Sequence, residues 1–134
     1  MKTLMALLLM LLCGHALAQE PAAIYEGYYT CAQGRPSLIV TVQPRPPGRS
    51  SDEAIVEFGL LTADNPSQSA GYFVVSGTIS GSAIDLKPVR WIKQPPGAGM
   101  VGLSGKSPDQ GRTYNGTLVS PAPGCSTFLL AKLR

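Results

Sequence analysis

Between Tyr28 and Leu133 the chain never sustains an apolar period of 3.6, and that missing amphipathic helix constrains the fold more than any motif does. Short runs of β-branched and aromatic residues recur instead, separated by glycine, proline, serine and asparagine. Leu38-Ile39-Val40-Thr41-Val42 is the clearest run. Ala54 to Leu61 alternates, with Ala54, Val56, Phe58 and Leu60 on one face. Tyr28 to Gln33, Tyr72 to Ile79, Ala83 to Leu86, Met100 to Ser104, Thr113 to Val119 and Ser126 to Leu133 complete a set of about eight. Ser80-Gly81-Ser82 and Pro108-Asp109-Gln110-Gly111 read as turns, and without crossover helices neighbouring strands are expected to pair antiparallel. Gly77, Gly102 and Gly116 fall inside strands, where they permit the bends of a closed sheet. The expected architecture is all-β: about eight antiparallel strands in a small barrel or rolled sandwich. Two connections read as stiff loops. Gln43 to Asp52 is proline-rich and basic, and Pro88 to Gly99 carries the sole tryptophan, Trp91.

The first residues belong to a different category. Met1-Lys2, an apolar run from Leu4 to Leu12 and Ala16-Leu17-Ala18 describe a signal peptide, residues 1–18, leaving a single domain over 19–134. The run is shorter than the roughly 20 residues of a membrane span, so no stable anchor is expected. Met10-Leu11-Leu12 lacks the small residue that a lipobox places before its cysteine, so Cys13 is expected to leave with the peptide. Export sets the expected compartment as periplasmic or secreted, and the short leucine-rich peptide suits a bacterium. In that compartment Cys31 and Cys125 read as one disulfide joining the first strand to the last, the alternative being two buried thiols. Loss of Lys2 leaves ten basic residues against eight acidic ones, a charge of +2. That balance is too weak to imply nucleic acid or membrane as a partner.

Catalytic chemistry is narrowed in the same way. The one histidine, His15, lies in the signal peptide, which removes serine–histidine and cysteine–histidine nucleophiles and histidine-based zinc sites. A carboxylate pair of glycosidase type or a serine–lysine pair survives on paper, but nothing selects a carboxylate pair from Asp52, Glu53, Glu57, Asp64, Asp85 and Asp109. No catalytic residue, metal site or cofactor is therefore expected. Gly97 to Gly102 matches G-x-G-x-x-G, yet Pro95-Pro96 precede it and strand-like residues follow, where a dinucleotide site needs strand before and helix after. Gly99 to Ser107 misses phosphate-loop spacing by one residue, and Asn115-Gly116-Thr117 is a sequon without a eukaryotic context. Trp91 is the most informative residue. With Arg90, Lys93, Pro95 and Pro96 it has the composition of an interface anchor, and equally it could plug one end of the barrel. The expected binding surface joins these five residues to Ser69 and Tyr72, with Arg45 and Arg49 as a basic rim. The expected partner is a protein, with peptidoglycan or another saccharide as the alternative ligand.

Two resemblances bear on that partner. Gly27-Tyr28-Tyr29-Thr30-Cys31-Ala32-Gln33-Gly34, the Leu38–Val42 run and a late Cys125 resemble the periplasmic inhibitors of C-type lysozyme. That resemblance implies an eight-stranded barrel, a conserved disulfide and a serine–glycine loop entering the target's active site. Ser69-Ala70-Gly71-Tyr72 echoes the loop, and the family's later lysine-bearing segment has no counterpart. The wider pattern, including Tyr28-x-x-Cys31-x-x-Gly34, Gly71-Tyr72-Phe73, Leu86-x-Pro88-x-x-Trp91 and Cys125-x-x-Phe128, resembles small exported bacterial β-domains. Its glycines, prolines and aromatics specify a fold rather than a reaction. Size, disulfide, stiff loops and the lack of catalytic groups make a non-catalytic protein binder, an inhibitor or immunity factor against a wall-active enzyme, the expected function, with a wall- or saccharide-binding domain as the alternative.

Overall fold

A computed structural model describes residues 19–32, 34–59, 71–119 and 124–134. The expected signal peptide, and with it Cys13, lies outside the described residues, as does Ser69. Eight strands follow one another: β1 Ala23–Cys31, β2 Ser37–Val42, β3 Asp52–Phe58, β4 Gly71–Ile79, β5 Ala83–Lys93, β6 Gly102–Lys106, β7 Thr113–Val119 and β8 Cys125–Lys132. Each pairs antiparallel with the next, and β1 also pairs with β8, so the sheet closes into a barrel. Closure decides between the two expected architectures.

Alternation along each strand builds the core. Leu38, Val40 and Val42 from β2 and Ala54 and Val56 from β3 point inward and are buried. Phe73, Leu86, Leu103, Tyr114 and Leu130 meet them from the other strands. Two glycines let the wall curve this tightly. A methyl group at Gly77 would overlap the Asp85 carbonyl oxygen on β5, and one at Gly116 would overlap the Ser104 carbonyl oxygen on β6. Only a residue without Cβ allows those strands to approach.

Cys31 and Cys125 are register partners across the β1–β8 seam, and their disulfide ties the first strand to the last. At the opposite end, Tyr25 and Tyr114 close the barrel with rings edge to face and centroids 5.3 Å apart. The Tyr114 hydroxyl donates to the Ser80 carbonyl oxygen, and the Tyr25 hydroxyl donates to that of Gly111 at 3.4 Å. The Ser80–Ser82 and Pro108–Gly111 turns lie where the sequence places them, between β4 and β5 and between β6 and β7.

Two boundaries differ most from the sequence reading. The first strand begins at Ala23 rather than Tyr28, because Tyr25 supplies an inward aromatic that extends the pattern toward the N-terminus. More consequentially, Pro88 to Lys93 is strand and not loop. Pro88 lies beyond the part of β5 that pairs with β6, so its missing N–H leaves no ladder bond unmade on that side. Loop structure begins only at Gln94.

Candidate functional site

The continuation of β5 carries two bulges, and they set the outer surface. Pairing runs Val75 with Pro88, Val74 with Arg90, Phe73 with Trp91 and Tyr72 with Lys93. Val89 and Ile92 are therefore extra residues, each opposite no partner of its own. Strict alternation after Lys87 would send Arg90 to the face opposite Lys87 and Lys93. With two insertions, Lys87, Arg90 and Lys93 pair with Ser76, Val74 and Tyr72, the alternate residues of β4 that face away from the core. The result is a column of three exposed cations on one face.

Register carries the pattern sideways. Glu57, Tyr72 and Lys93 form one row across β3, β4 and β5. Ile55, Val74 and Arg90 form the next, and Glu53, Ser76 and Lys87 the third. Acids thus stand on β3 and bases on β5, separated by two strand spacings, about 10 Å. Among the described residues Lys87, Arg90, Lys93 and Arg49 make no salt bridge. Val74 faces outward yet is only 3% exposed, so the middle row contributes shape rather than an apolar patch.

Beside this face the Gln43–Ser51 connection folds into a wall. It is held by Asp52, whose Oδ1 accepts from Arg45 Nε at 3.2 Å and Nη2 at 2.8 Å, and whose Oδ2 accepts from the Ile79 N–H at 3.0 Å. Between wall and sheet runs an open groove of about 420 Å³, with Gln43, Ser51, Glu53 and Ser76 among its lining and Arg49 and Arg90 both reaching it. The two segments marked out in the sequence, around Arg49 and around Trp91, thereby meet. Their meeting depends on register, which no local signal encodes.

At the disulfide end the indole of Trp91 faces inward and is half-buried. It packs edge to face on Phe73 with centroids 5.4 Å apart and on Phe58 at 6.0 Å. Pro95 is buried close by, near enough that a methyl group at Gly71 would crowd both its ring and that of Phe58. Pro96 is exposed, and Val89 and Ile92 are 50% and 56% exposed on the same stretch. The structure thus gathers Trp91, Arg90, Lys93 and Tyr72 on adjacent strands, with Pro95 and Pro96 just beyond them.

Asp52 and Asp109 have structural roles, and Asp64 lies outside the described residues. Asp52 anchors the groove wall. Asp109 organises the β6–β7 turn, accepting from the Thr113 N–H at 2.8 Å and from the hydroxyls of Thr113 and Ser107, each at 2.9 Å. The Thr113 N–H above all, with those hydroxyls and the Arg112 charge, holds the Asp109 carboxyl below its usual range against an opposing desolvation. Glu53 and Glu57 lie four residues apart on one face of β3, a backbone separation of about 13 Å. Burial pushes the Tyr114 and Tyr29 phenols up, keeping both neutral. Compared with protein-family models, with curated proteins and with solved structures, the chain matches none.

Proposed function

We infer that this protein is an exported, non-catalytic binding module that recognises another protein. It does so through the outer face of β4 and β5 and the neighbouring Trp91 end. The observation carrying this reading is the bulged half of β5, which turns Arg90 and Lys93 outward beside Tyr72 and leaves Val89 and Ile92 exposed. Cations, exposed aliphatics and a rigid aromatic within one short stretch have the composition of an interface centre with a polar rim. A closed, disulfide-tied barrel holds that stretch in one shape before any partner arrives, which lowers the ordering cost of binding. Among protein partners, a wall-degrading enzyme is placed first, on the resemblance of the Gly27–Gly34 and Ser69–Tyr72 stretches to lysozyme inhibitors. Inhibitor or immunity factor is the corresponding role in a bacterial periplasm or secretome.

Affinity capture tests the reading. The oxidised protein, expressed from the full chain, is offered periplasmic extract, secreted proteins and purified peptidoglycan, beside Trp91→Ala and Arg90→Ala/Lys93→Ala variants. One protein retained stoichiometrically by the native form and lost by both variants is the expected result. Circular dichroism checks that Trp91→Ala keeps the barrel, and the double variant removes only exposed side chains. Retention on peptidoglycan alone would replace this reading with a saccharide-binding module in which Trp91 and the tyrosines stack on sugar rings.

A further inference from the structure

Resting on the protein-binding reading, we propose that the cation column and groove recognise an extended acidic peptide segment of the partner, carrying a carboxylate at every second residue. The β4 partners of Lys87, Arg90 and Lys93 are Ser76, Val74 and Tyr72, which alternate along that strand. Alternate strand residues lie about 7 Å apart, so the three cations repeat at that pitch. An extended peptide presents its own alternate side chains on one face at the same pitch, so successive acids meet successive cations in register. A helical segment presents residues i, i+4 and i+8 about 6 Å apart but turned by about 40° at each step, so it aligns less well over three contacts.

The bulges make the match. Without the insertions at Val89 and Ile92, Arg90 would point away from its two neighbours and the middle contact would be lost. At the centre of the column the groove adds a second guanidinium, Arg49, which with Arg90 supplies two planar donor forks for a central carboxylate. Ser51, Ser76 and Gln43 line the same groove and offer hydrogen bonds to a peptide backbone. Glu53, itself part of the groove lining, and Glu57 run parallel to the column on β3, so they repel a broad polyanion and hold an acidic chain to the β5 side, where Arg49 and Arg90 meet it. Two signs of charge in parallel columns on either side of β4 therefore favour a peptide with acids on one edge over a uniformly anionic polymer.

The test uses labelled peptides of one composition, glutamates alternating with threonines or the same glutamates gathered in one block, with polyphosphate as a third probe. Fluorescence anisotropy on the oxidised protein is expected to show the alternating peptide binding at least tenfold tighter than the block. Arg90→Ala and Lys93→Ala should each weaken it about tenfold, the effect of one lost charge-assisted contact, and Lys106→Ala should leave it unchanged. Equal binding of the two peptides, polyphosphate binding as tightly as the alternating one, or a Lys106→Ala effect matching Arg90→Ala would each overturn the proposal. Partner capture separates its failure from that of the wider reading. A partner still lost with Arg90→Ala/Lys93→Ala, while no peptide binds, sinks the acidic-strand proposal and leaves the protein-binding module standing.

Discussion

Replacing Cys31 and Cys125 together by serine should cost several kcal/mol, and the size follows from topology. The bridge spans 94 residues of sequence and joins register partners on β1 and β8. Pairing of Tyr25 to Tyr29 with β8 does not depend on it, so the folded barrel should survive its loss. The cost falls on the unfolded chain, which regains the freedom of an open loop. For a loop of this length the chain-entropy relation gives about 4.7 kcal/mol, against a total stability of roughly 5–15 kcal/mol for a typical domain. At about 4 °C per kcal/mol for a domain of this size, the melting temperature should fall by about 15–20 °C. Urea titration followed by Trp91 fluorescence measures both forms, and the denaturant slope should rise because the uncrosslinked chain exposes more surface. A loss below about 1 kcal/mol with an unchanged slope would refute the entropic account. A collapsed far-ultraviolet spectrum without denaturant would show instead that the β1–β8 seam cannot hold alone.

Other perturbations separate packing from surface. Gly77→Ala, forced against the Asp85 carbonyl, should cost about 2 kcal/mol or more, whereas Gly99→Ala, with open space around it, should stay within about 0.5 kcal/mol by the same titration. Asp52→Ala strands the Ile79 N–H and should cost about 1–3 kcal/mol, and Arg45→Ala, which takes the exposed partner from the buried Asp52 carboxylate, should cost about 1 kcal/mol or more. Tyr114→Phe removes the bond to Ser80 and should lose about 1 kcal/mol at neutral pH. Because the folded Tyr114 phenol titrates above its free value near 10, its neutral form stabilises the barrel up to about that pH and the benefit fades above it. The phenylalanine variant should therefore show a shallower alkaline loss in a pH series. Asp109 works in the other direction. Its depressed carboxyl stabilises the turn above about pH 4, and that contribution disappears as acid protonates it, a limb absent in Asp109→Asn.

How far the fold could be read from the chain depends on how regular each segment is. Leu38-Val40-Val42 and Ala54-Val56 announce inward faces by strict alternation, and the barrel uses them so. Ser80-Gly81-Ser82 and Pro108 to Gly111 are legible because turn chemistry is local. Barrel rather than sandwich is a property of the β1–β8 seam, a pairing between chain ends to which only Cys31 and Cys125 point. The upper half of β5 was hidden for a physical reason. Pro88 suggests a break, and the bulges at Val89 and Ile92 replace a period of two with a period of three, so Lys87, Arg90 and Lys93 do not look like one face. Trp91 was recognisable as special, but its packing on Phe58 and Phe73 follows from tertiary contact across β3, β4 and β5. The proximity of Arg49 to Arg90 depends on strand register and on the Asp52 contacts that hold the β2–β3 connection.

The central claim is that the outer face of β5 is where a protein partner docks, and two triple charge reversals of equal net charge test it most directly. One carries Lys87→Glu, Arg90→Glu and Lys93→Glu, and the other Lys106→Glu, Lys132→Glu and Arg134→Glu, all exposed positions. Retention of the captured partner is measured for both against the native protein. The account predicts that the β5 variant loses the partner while the second retains it. Equal loss in both, or retention by the β5 variant, would contradict it.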